Sequence, residues 1–85
     1  MNEAQFLELF FRIAREDYPV RTNRHGQTQV DFGNKTLHSG HLKKLFPKIL
    51  HPDANITQLI KEVAPGRPCA VVPTREIVRR IVAMI

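Results

Sequence analysis

Eighty-five residues, 42% of them apolar and 25% charged, describe one small globular domain over 1–85, either free-standing or the N-terminal domain of a longer chain. Thirteen Lys and Arg against eight Asp and Glu leave a net charge of +5, which points to anionic partners: nucleic acid first, then an acidic protein. A disordered chain is excluded, as is a disulfide-stapled domain, because there is one cysteine, and so is a membrane span, because no apolar run approaches the required ~20 residues. The lone Cys69 and a start without a basic-then-apolar leader lead us to expect a cytoplasmic protein.

Residues 2–17 read as an amphipathic helix capped by Asn2, with Phe6, Leu9, Phe10, Ile13 and Ala14 at helical spacing and Pro19 beyond its end. Val20–Thr22 and Thr28–Phe32 alternate around Asn23-Arg24-His25-Gly26, which predicts a hairpin closed by a type I or bulged turn. Ser39 is the expected cap of a helix over 39–46, which Pro47 should stop or kink near Phe46. Pro52-Asp53 opens the next element, capped by Asp53 or Asn55, with Ile56, Leu59, Ile60 and Val63 on one face. Ala64-Pro-Gly-Arg-Pro68 ends it, Cys69–Val72 reads as a short buried strand or connector, and Thr74 caps a last helix buried through Ile77, Val78, Ile81 and Val82. The expected fold is a small α+β domain of about four helices, a β-hairpin and one short extra strand, winged-helix-like if the hairpin serves as wing.

Phe32 to His51 contains Lys35, Lys43, Lys44 and Lys48 and no acid, interleaved with Leu37, Leu42, Leu45, Phe46, Ile49 and Leu50. The apolar residues anchor this block in the core, which leaves Lys43 and Lys44 facing solvent, where they suit phosphate as point charges. Arg75, Arg79 and Arg80 form a second basic face on the last helix, and Arg24 stands at the hairpin tip. The competing reading of the arginine face is a solvated surface with Glu76 pairing Arg79 or Arg80. Aromatic residues for stacking single-stranded bases are scarce, since only Tyr18 reads as an exposed ring.

Catalytic chemistry finds no constellation. His38 and His41 have a spacing that two metal ligands could use, but the usual paired-cysteine and His-Glu-x-x-His patterns are absent, so capping or solvated imidazoles are the expectation and no metal or cofactor is implied. Cys69 lies in an apolar run, where it reads as a small buried hydrophobe rather than a nucleophile. No acid pair sits in an apolar setting, and no glycine loop is shaped to cradle phosphate. The chain therefore reads as a non-catalytic nucleic-acid-binding domain, DNA-binding in particular, acting through a basic helix surface. The alternative is an interaction or adaptor domain that docks an acidic partner or dimerises through its apolar C-terminal helix, which ends Val-Ala-Met-Ile.

Overall fold

The computed structural model describes residues 1–51 and 53–85; Pro52, expected to open the third helix, lies outside them. In chain order the elements are α1 (Glu3–Ala14), β1 (Val20–Thr22), β2 (Thr28–Asp31), β3 (Thr36–His38), α2 (Ser39–Ile49), α3 (Ile56–Val63), a short 3-10 turn (Pro68–Ala70) and α4 (Val71–Met84). This is a small α+β domain, with a three-stranded antiparallel sheet in the order β1-β2-β3.

Helix α1 starts where the sequence places it. Asn2 Oδ1 accepts the Gln5 N–H at 2.8 Å and Gln5 Oε1 accepts the Asn2 N–H at 3.0 Å, a reciprocal cap that satisfies two end-of-helix donors. Its inner face buries Phe6 and Phe10 completely, and each such aromatic contributes roughly 1.5–3 kcal/mol of burial free energy. They join Val30, Leu37, Leu42, Leu45, Ile49, Ile60 and Ile81 in one core cluster to which the sheet and every α-helix contribute.

The hairpin closes as its residues dictate. Asn23 Oδ1 accepts from the backbone of His25 and Gln27, and Gly26 N–H donates to the Asn23 carbonyl at 3.0 Å. Gly26 sits at φ 79°, a left-handed conformation that this bulged turn requires and that glycine adopts without a Cβ penalty.

Four expectations are overturned. The extra strand is Thr36–His38, paired with β2 through Val30↔Leu37, and not Cys69–Val72. Those residues instead form the 3-10 turn and the start of α4, and Cys69 is exposed rather than buried. The residues that α4 and its approach bury, Ala70, Pro73, Thr74, Ile77, Val78 and Ile81, recur at helical spacing. Pro73 is tolerated because N–H groups in the first turn have no intrahelical partner anyway. Pro47 does not end α2, which continues to Ile49. Pro47 is exposed and close to the helix end, so water can serve the carbonyl that lacks its usual donor.

Thr74, expected as a cap, lies inside α4 with no exposure, and its Oγ1 has no hydrogen-bond partner among the described residues. An unpaired buried hydroxyl costs about 1–3 kcal/mol, whereas Val fills nearly the same volume without a polar atom. Thr74→Val is therefore expected to raise stability by about 1 kcal/mol in urea unfolding. A variant less stable than wild type would show that the hydroxyl is satisfied in solution.

Candidate nucleic-acid interface

The basic face is built on α2. Leu42, Leu45 and Ile49 are buried at one-turn spacing, and this fixes the helix against α1 and α3. Lys43, Lys44 and Lys48 are then left exposed on the outer side, and Lys44 and Lys48 share one line of the helix. Among the described residues the ion pairs are Arg12 with Glu8, Arg21 with Asp31 and Arg80 with Glu16, so no lysine is neutralised by a carboxylate within 4.0 Å.

The N-terminus of α2 is held by two imidazoles, not by Ser39. Gly40 N–H donates to His38 Nδ1 at 3.0 Å, His38 N–H donates to His41 Nδ1 at 3.2 Å, and the two rings stack with centroids 3.7 Å apart. Both Nδ1 atoms are acceptors, so both rings carry their proton on Nε2. Gly40 makes room for this cap, because a Cβ there would lie 2.8 Å from His38 Cε1 and 2.9 Å from His38 Nδ1. Burial, followed by the charges of His38, Arg67 and Lys44, pushes the His41 pKa down from 6.5 to about 4. His38 is shifted in the same direction by burial and by Arg67, Lys44 and His25.

The hairpin turn approaches the start of α2, where Gln27 Nε2 would lie 3.1 Å from a Cβ at Gly40, and Arg67 reaches the strand that leads into α2 through the Thr36 carbonyl, so these segments form one positive end of the molecule. Arg24 is exposed in that turn. Lys35 stands in the turn between β2 and β3, away from the hairpin turn but next to Thr36, whose carbonyl accepts from Arg67, so it flanks the Arg67 side of this region.

Arg67 is the member that the sequence reading did not include. Its Nε donates to the Thr36 carbonyl at 2.8 Å, fastening the α3–α4 connection to β3 across 31 positions of sequence. The flanking Pro65, Gly66 and Pro68 disguise it as loop composition.

The second basic face divides. Arg75 Nη2 donates to Thr57 Oγ1 at 3.1 Å, and Arg75 and Arg79 line a shallow cleft with Asp53, Ala54, Asn55 and Ile56. Arg80 is turned away from that role by its ion pair with Glu16 of the segment after α1, which raises the Arg80 pKa and lowers that of Glu16. The partner expected for it, Glu76, is not the one it uses. Tyr18 is not a free stacking platform, since it is half-buried and packs edge-on against Phe32 with centroids 4.9 Å apart. Among the described residues no three His, Cys, Asp or Glu side chains cluster in a way that would hold a metal ion, and no helix is long and apolar enough to cross a membrane.

Comparison with known proteins finds no matching family model, no matching curated protein and no matching solved structure.

Proposed function

We propose that this domain binds nucleic acid, duplex DNA in particular, through the outer face of α2, without catalysis. The observation that carries the reading is the exposed, carboxylate-free set of Lys43, Lys44 and Lys48 on a helix whose opposite face is locked into the core. Lysines on a rigid helix suit phosphate and carry little base information, so α2 acts as a backbone anchor. Arg67 and Arg24 extend the same positive end, and Arg79, which among the described residues has neither the ion pair of Arg80 nor the side-chain hydrogen bond of Arg75, is the better residue to read a base edge. Lys35, Arg75 and Arg80 contribute long-range attraction from the margins. The imidazoles nearest this face use their Nδ1 atoms to cap α2, which fits a binding surface better than an acid–base site. The test is a duplex titration at rising salt: affinity should fall with a log–log slope of about one per phosphate contact, and an absence of binding at about 50 mM salt would overturn the proposal.

A second reading has its own observation. Val82, Met84 and Ile85 are 49%, 62% and 72% exposed, and Met84 and Ile85 line a cleft with Met1 and Leu9 whose charged members, Glu8 and Arg12, cancel. On a molecule of charge +5, this neutral apolar patch is where two copies can meet with least repulsion. Ile85→Asp is expected to weaken self-association at least tenfold in sedimentation equilibrium, and a wild type that stays monomeric at about 1 mM would remove this reading.

A further inference from the structure

A cleft of about 280 Å³ lies between α3 and the start of α4. Its walls are largely hydrocarbon, from Ile60, Ala64, Pro68 and Val71, and its lining includes two cations, Lys61 and Arg67, and no acid. The only other polar side chain there, Thr57, already accepts a hydrogen bond from Arg75.

Arg67 is held in place before any ligand arrives. Its Nε donates to the Thr36 carbonyl at 2.8 Å and its Nη1 to the Pro65 carbonyl at 3.3 Å. A guanidinium has five N–H groups, so these two bonds leave about three to donate. An arginine side chain ordinarily loses rotamer freedom when it grips an anion; here that freedom is already spent on two backbone carbonyls, so the loss on binding is smaller. Lys61 is exposed on α3, has no carboxylate within 4.0 Å among the described residues, and adds a second positive charge to the same cleft.

We propose that this cleft binds a free aliphatic carboxylate of about six to eight carbons, a size set by the small volume of the site. The carboxylate lies on Arg67 and Lys61, and the chain lies along Ile60, Ala64 and Val71. A duplex phosphate would use the cations but leave the apolar walls bare, and a neutral hydrocarbon would use the walls but leave the cations without a partner. Only a ligand with both features meets the whole lining. The site shares Arg67 with the positive end proposed to meet nucleic acid, but its apolar walls and Lys61 are its own, and carboxylate binding does not require nucleic-acid binding.

The test is a titration with hexanoate, followed by methyl NMR. The Ile60, Ala64 and Val71 methyls are expected to shift together and saturably with a Kd of about 1 mM, as ligand-efficiency bounds for a ligand of this size suggest. 1-Hexanol should bind about tenfold more weakly. Lys61→Gln should weaken hexanoate about threefold and leave hexanol unchanged. Because Lys61 is exposed and makes no ion pair among the described residues, this variant reports on the site even if Arg67→Gln fails to fold. No saturable shift at these methyls up to about 20 mM, roughly twentyfold above the expected Kd, would overturn the proposal, as would hexanol binding as well as hexanoate. Tighter binding by a blocked dipeptide ending in leucine with a free carboxylate would overturn the free acid as occupant and assign the cleft to a protein C-terminus.

Discussion

Lys43→Glu combined with Lys44→Glu is expected to abolish duplex binding while leaving the fold intact. Each lysine that neutralises a phosphate releases about one counterion, so losing both should reduce the salt slope by about two. Two new negative charges then repel the backbone, and at about 50 mM salt the combined loss should be on the order of 100-fold or more. The fold should tolerate the change, because both side chains are exposed and neither belongs to an ion pair, and surface changes of this kind usually stay within about 0.5 kcal/mol. Net charge alone would also weaken binding. A matched control is therefore Arg12→Glu with Arg80→Glu, two exposed positions on α1 and α4 whose guanidinium groups are engaged by Glu8 and Glu16, which remove the same charge away from the α2 face. If this control loses as much affinity as the α2 variant, attraction belongs to the whole molecule and the α2 face is not a site.

The α2 face could be read from sequence because three buried positions, Leu42, Leu45 and Ile49, settle which way Lys43 and Lys44 point. Helices α1 and α3 were legible for the same reason, and the hairpin through Asn23 and Gly26. What failed was structure that depends on distant partners. Thr36–His38 has one buried residue, Leu37, and is a strand only because β2 pairs with it. Cys69–Val72 looked like a strand because it is apolar, yet Cys69 and Val72 are exposed. Counting back from Ile77 in threes and fours reaches Thr74, Pro73 and Ala70, so the helical spacing runs through Pro73 into this apolar run and past the expected cap at Thr74. Within the site, Ser39 displaced His38 as the expected cap because hydroxyls are the commoner choice, and Arg67 was hidden in a Pro-Gly connection whose anchor, the Thr36 carbonyl, lies far away in sequence.

Acidification from pH 6.5 to about 4 is expected to loosen the start of α2, before the carboxylates are neutralised. The sign follows from the direction of the shifts. His38 and His41 are held below their unfolded value of 6.5 in the fold, His41 at about 4, so the unfolded chain binds more protons in this window. Stability is complete above pH 6.5 and is lost as pH falls toward the folded pKa. Structurally, a proton on Nδ1 turns each acceptor into a donor that faces another donor, the Gly40 or the His38 N–H, and it adds charge beside Lys44, Arg67 and His25. Both rings keep some solvent contact, so the loss is discounted to about 2 kcal/mol. The Glu16 carboxylate, bonded to Arg80, has its pKa lowered from 4.5, so the stability it contributes is present above pH 4.5 and is lost only as the pH falls below that, later than the start of the imidazole window. Helix α1 supplies the control: its Asn2 and Gln5 make the same reciprocal cap at the same spacing with no titrating group. His38→Asn with His41→Gln copies that cap onto α2 and should flatten the urea midpoint between pH 6.5 and 4.5, where wild type slopes downward. Equal slopes in the two proteins would show that the imidazole pair is not what acid attacks. A flat variant that still binds duplex would separate the cap, which holds α2 in place, from the lysines that α2 presents.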